Sequence, residues 1–211
     1  VILDWRSTAD YTALTRAAND GNAKAKFEKG KIVMREPSEV RGIMFHITAC
    51  IFGVTPSSIK AAGGDKRLAR NRRARRVPAH VTVFRDGDAV VPFDLRSYLY
   101  HGNAGNPFSL GIEIESIDGS ITDEQRETLA DLVPWLIVQA SEEGTILRES
   151  WAHRQTHGGK PSDPGAVVWK EIVIPLSEKH GLARTIVALP RSTPSGRNGL
   201  PIPKTWDPKG I

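Results

Sequence analysis

Six histidines, an isolated aspartate and two closely spaced glutamates are the residues of this 211-residue chain whose types and spacing could do chemistry. The histidines are His46, His80, His101, His153, His157 and His180. His46 lies in the apolar run Gly42–Thr48 (GIMFHIT), between Phe45 and Ile47. A lone histidine there is more often a hydrogen-bonded core residue than a ligand. His153 follows Trp151 and Ala152, and Asp163 comes ten residues later in Ser162-Asp163-Pro164-Gly165. Alone, an aspartate before Pro-Gly reads as a turn or cap residue. Taken together, two imidazoles and a carboxylate form a donor set suited to zinc, with a fourth position left for water. One cysteine, Cys50, excludes an internal disulfide framework and any multi-cysteine metal site. Cys50 itself reads as a small buried residue.

These residues need elements to position them. GIMFHIT is apolar on both faces, which predicts a buried central strand. Ser7–Ala18 reads as a short helix, and Thr55-Pro56 as the start of another, with threonine as N-cap. His80–Arg85 and Asp88–Phe93 read as two strands joined by an Asp86-Gly87 hairpin. In Leu110–Ser116, Leu110, Ile112 and Ile114 face one way, and Gly111, Glu113 and Glu115 the other. Thr122 and Gln125 form a capping box that opens the strongest helix. Leu129, Leu132, Val133, Leu136, Ile137 and Ala140 make its apolar stripe, with a bend expected at Pro134 and a stop at Gly144. Gly165–His180 is a further helix closed by Gly181, where His180 favours the C-terminal dipole. Beyond Ala188 the chain turns rich in proline and glycine, an extended tail that wraps on the domain or reaches a partner. The economical architecture is α/β, a central mixed β-sheet flanked by helices. We divide the chain into a lead-in (1–41), a catalytic domain (42–188, with a basic insertion at 55–78) and a tail (189–211).

At this point the residues resemble the zinc-dependent type-2 N-acetylmuramoyl-L-alanine amidases, which share the fold of the peptidoglycan recognition proteins. The likeness runs from about Gly42 to His180, roughly two-thirds of the chain. GIMFHIT looks like the strand carrying the family's first zinc histidine. VPAHVTVFRDG looks like the second strand and its hairpin. LYHGNAGNPFSLGIEIES resembles the stretch ending in Ser-x-Gly-Ile-Glu. AHRQTHGGKPSDPG resembles the block of second histidine, basic loop and Asp-Pro-Gly. The resemblance implies one zinc ion held by His46, His153 and Asp163, with Glu113 as general base. It also places His80, His101 and Asn106 along the substrate groove, although ordinary strand-end hydrogen bonding explains the two histidines equally well. Glu113 sits beside Gly111, where apolar neighbours would raise its basicity by desolvation. Glu115, on the same face, is the rival, with a surface salt bridge as its ordinary role. Many active members carry lysine two residues before the aspartate ligand; here Pro161 stands there. Lys160 and His157 are therefore the candidates for stabilising an oxyanion. His157 also stands four residues after His153, a helical metal spacing, but the Gly158-Gly159 that follows argues for a loop.

Charge narrows the partners. The net charge is +5, and Lys66, Arg67, Arg70, Arg72, Arg73, Arg75 and Arg76 crowd one stretch. We read this run as lying between elements and meeting an anionic cell-wall polymer. It lacks interleaved aromatics to stack bases, so nucleic acid is not the expected partner. No apolar run approaches the ~20 residues of a membrane span. Residues 1–6 hold no secretory pattern, and a leader removed earlier stays open. The expected substrate is peptidoglycan or a muropeptide, and the expected origin is bacterial or phage. The competing reading is a peptidoglycan-binding module of the same fold without catalysis.

Overall fold

The computed structural model describes residues 1–6, 25–29, 31–75, 77–193 and 196–210. The helix expected at Ser7–Ala18 lies outside them. Seven strands form one sheet: β1 (Ile2–Asp4), β4 (Gly42–Ile47), β5 (Val81–Val83), β6 (Ala89–Val91), β7 (Ser109–Ile114), β8 (Glu149–Ala152) and β9 (Ala183–Arg184). Their spatial order is β1-β6-β5-β7-β4-β8-β9. Only the β5–β6 hairpin is antiparallel, so the sheet is mixed and mostly parallel. Two short strands, β2 (Phe27–Glu28) and β3 (Lys31–Ile32), pair apart from it.

Register explains how one sheet serves two purposes. β4 is central, flanked by β7 and β8, as its continuous apolar run requires. Ile43 pairs with Leu110, Phe45 with Ile112 and Ile47 with Ile114. Side chains of paired residues point to one face. This face is covered by α3 (Asp123–Glu142), whose Leu129, Leu132, Val133 and Leu136 are fully buried in the same core. The opposite face carries Met44 beside Gly111 and His46 beside Glu113. The main core thus holds the strands from one side, and the other carries two small apolar clusters, around Val90 and Met44, with His46 and Glu113 among them.

The helices follow their caps. Thr55 accepts from Ser58 N–H at 3.2 Å to open α1 (Pro56–Ala61). Thr122 accepts from Gln125 N–H at 3.1 Å to open α3, which runs unbroken past Pro134. The last helix differs from the single regular one expected. Short α4 (Ala166–Val168) passes through a π-helical segment (Trp169–Val173) into α5 (Ile174–His180). Pro175 lacks the N–H that a regular turn would donate four residues back, and widening the turn just before it accommodates that loss. Gly181, at φ 69°, then ends α5 in the left-handed conformation that glycine adopts without a steric cost.

The basic run is the clearest correction. It is not a connection between elements: Lys66–Ala74 forms α2, capped by Asp65. Ala69, Asn71 and Ala74 are its buried residues. Arg67 pairs with Asp88, and Arg70 bridges Asp86 and Asp88 while its guanidinium stacks 3.9 Å from the Phe84 ring. Both aspartates belong to the β5–β6 hairpin, so these arginines fasten α2 to the sheet. Among the described residues no helix is long and apolar enough to cross a membrane.

The tail lies on the body. Leu189 N–H donates to Gln155 O at 2.7 Å, and Leu200 N–H to Arg154 O at 2.7 Å. Ile202 and Asp207 are buried. Asp207 accepts from Arg184 Nε at 2.9 Å and from Trp169 Nε1 at 3.3 Å.

Candidate active site

Three strand ends bring the site together. His46 and Glu113 are register partners on β4 and β7. β8 pairs with β4 so that Ala152 lies opposite Phe45, and His153 follows at once in a 3-10 turn (His153–Gln155). The His46 and His153 ring centroids are 4.5 Å apart. Residues 153–163 then double back: Arg154 N–H donates to Asp163 O and His157 N–H to His153 O, each at 3.0 Å. This returns Asp163 to the turn that carries His153. Its Oδ2 lies 3.0 Å from His153 Nδ1, and its Oδ1 accepts from Ile47 N–H at 2.9 Å. One carboxylate thereby ties the end of β4 to the turn after β8. Donor atoms of His46, His153 and Asp163 all lie within 4.8 Å of one another.

The chemistry of this cluster fits a metal ion. His46 Nδ1, His153 Nε2 and Glu113 Oε2 are buried without a hydrogen-bond partner. Buried polar atoms are normally paired, and leaving them bare is costly. A cation among two imidazoles and a carboxylate would relieve that cost with the donor set zinc prefers. Burial, followed by the neighbouring histidines, pushes His46 well below the usual histidine range, so it is neutral and able to ligate. Burial also pushes Glu113 up to about 8, helped by the charge on Asp163 and opposed by Lys160. A carboxyl group poised there can take and return a proton near neutrality.

A family model described as N-acetylmuramoyl-L-alanine amidase matches residues 36–166, more than half of the chain. The chain belongs to this amidase family. The match spans both β4 and β7 and ends just beyond Asp163. No sequence among curated proteins matches the chain. Among solved structures, the Drosophila peptidoglycan recognition protein SD is 16% identical over 87% of this chain and 96% of its own, with a TM-score of 0.50. Drosophila PGRP-LB, solved as a point mutant in complex with tracheal cytotoxin, is 14% identical over 86% and 96%, also with a TM-score of 0.50. An endolysin of a Thermus scotoductus bacteriophage is 16% identical over 86% and 99%, with a TM-score of 0.49. At these identities the likeness is one of fold.

The remaining residues named for this amidase-family chain divide into rim and interior. Lys160 and His157 both lie in the 153–163 loop, and the His157 ring centroid is 5.9 Å from that of His153. Lys160 is exposed, yet its charge acts on both His46 and Glu113. His80 and His101 are buried beneath the site. His80 Nδ1 accepts from Gly111 N–H at 3.0 Å, and its Nε2 lies 3.0 Å from Ser97 O. His101 lies between His46 and Ser109. Asn106 is buried too, its Oδ1 accepting from Gly102 N–H at 2.6 Å. Glu115 is no surface salt-bridge residue: it is buried and accepts from the Phe52 and Arg85 backbone N–H groups, closing the end of β7. Cys50 is exposed, because the chain has left β4 and turned outward.

Arg35 is the residue the sequence gives no reason to single out. It lies in a polar stretch without periodicity, yet it is buried. Its guanidinium donates to the carbonyls of Leu95 (2.8 Å), Asn106 (2.9 Å) and Ser109 (2.7 Å) and lies 3.0 Å from His80 Nε2. It anchors the loop between β6 and β7 beneath the candidate site.

Proposed function

We propose that this chain is a zinc-dependent hydrolase that cuts the amide bond between N-acetylmuramic acid and L-alanine in peptidoglycan, in wall lysis, remodelling or recycling. The observation that carries the reading is the meeting of His46, His153 and Asp163 beside Glu113, in a chain of an amidase family. His46, His153 and Asp163 would hold the ion. Zinc in such a site polarises the scissile carbonyl and brings the pKa of water towards neutrality.

This chain's own residues would do the rest. Glu113 Oε2, buried and bare, takes a proton as water adds to the amide carbon. The C–N bond then breaks, and Glu113 returns the proton to the departing L-alanine nitrogen. Burial raises the basicity of Glu113 in the metal-free chain, and a cation held beside it would favour the carboxylate that takes the proton. The 153–163 loop holds Lys160 and His157 at the rim, where a cationic or hydrogen-bonding group can meet the developing oxyanion. Pro161, in the position where many active members carry lysine, makes Lys160 the candidate in its place. A wall-binding module without catalysis is the alternative, and retention of all three donors together with Glu113 speaks against it.

The test is to incubate the protein with purified peptidoglycan and count newly exposed L-alanine amino termini. Cleavage by the wild type, with a loss of roughly 10²–10⁴-fold in Glu113→Gln, is the expected result. Wall binding without new termini would favour the alternative.

A further inference from the structure

Beneath the candidate metal site runs a chain of buried histidine hydrogen bonds whose proton positions can be worked out. It starts from the Ser109 carbonyl, which only accepts. His101 Nε2 lies 3.1 Å from that oxygen, so Nε2 carries the His101 proton. A neutral imidazole has one N–H, which leaves His101 Nδ1 as an acceptor. His46 Nε2 lies 3.1 Å from His101 Nδ1 and so must donate. His46 therefore carries no proton on Nδ1, the same atom that is buried without a partner. A second proton on His101 would set two N–H groups against each other and bury a charge, which the site disfavours.

We propose that His101 is a positioning residue, one that holds His46 as the Nε2–H tautomer and so keeps the Nδ1 lone pair bare for the metal. This rests on the zinc reading above and deepens it. Gly111 belongs to the same device. A Cβ on Gly111 would sit 2.7 Å from His101 Nδ1, so only glycine lets the ring lie against β7 at hydrogen-bond distance from His46. Without that acceptor, His46 would be free to carry its proton on Nδ1, and a metal would have to displace it. Partners that set the tautomer of a ligating histidine typically matter by about 10–100-fold in metal affinity.

Two measurements on the full chain decide the matter. Long-range 1H–15N correlation on the metal-free, 15N-histidine-labelled protein reads each tautomer directly. His46 and His101 should both be protonated on Nε2 and bare on Nδ1, and a proton on His46 Nδ1 would overturn the proposal. Zinc affinity is then measured by chelator competition for the wild type, His101→Phe and Gly111→Ala. Both variants should bind zinc roughly 10–100-fold more weakly, and wild-type affinity in folded variants would sink the idea. Should either variant fail to fold, the wild-type spectrum still decides. Neither measurement uses peptidoglycan. The expected tautomers and affinities without cleavage would refute the amidase reading alone, and a wrong tautomer with cleavage would refute this inference alone.

Discussion

Glu113 shows how far a single environment can move a group. It sits on the chemical face of the sheet with one bare carboxylate oxygen, and burial lifts its pKa from the usual 4.5 to about 8. The folded, metal-free protein therefore holds a proton that the unfolded chain has already released. Stability from this proton is fully present below about 4.5 and is lost as pH rises to about 8, beyond which a buried carboxylate remains. Thermal unfolding of the metal-free protein from pH 5 to 9 should show wild-type Tm falling relative to Glu113→Gln. Parallel curves would contradict it. The candidate metal-holding residues can be tested in the same way. His153→Ala should abolish stoichiometric zinc in metal analysis, while His157→Ala keeps it; full zinc in the first variant would refute the assignment. His46, His153 and Asp163 are legible in the sequence because each stands at the end of an element with a strong local pattern. His101 is not: its role depends on a backbone carbonyl and on a missing Cβ across the sheet, and neither leaves a mark in residue type.

Elements that bury an apolar stripe are those the sequence reveals best. β4, β7 and α3 fall where alternation, apolar runs and the Thr122 capping box place them. α2 is hard to read for the opposite reason. Its arginines are spread around the helix, its buried residues are the small or polar Ala69, Asn71 and Ala74, and the acids that accept its charge lie in a hairpin later in the chain. Arg70 is a fastening. Its side chain is 16% exposed, bridges Asp86 and Asp88 and stacks on Phe84. Arg70→Ala should cost about 1–2 kcal/mol in denaturant unfolding, through the lost stacking and a partly buried ion pair. Lys66→Ser, at the start of the same helix, should stay within about 0.5 kcal/mol. Equal effects at the two positions would return the whole run to a solvated surface.

On the scale of the whole molecule, the tail is part of the domain's support. It hydrogen-bonds the turn that carries His153 and buries Asp207 against Arg184 and Trp169. Proline-rich composition marks that segment as extended, but the surface it covers follows only from the assembled fold. Asp207→Ala leaves Arg184 with the exposed Glu178 as its carboxylate partner and takes the acceptor from Trp169 Nε1, and should destabilise the protein by about 1–3 kcal/mol, read by thermal unfolding. No change in Tm would mean that the tail only rests on the surface.

A zinc amidase releases L-alanine amino termini from peptidoglycan under metal control, and that release is the most direct test of this assembly. The protein should expose new termini as purified, stop after chelation and resume when zinc is returned. Zinc-independent release, or zinc binding with no new termini at all, would contradict the proposed function.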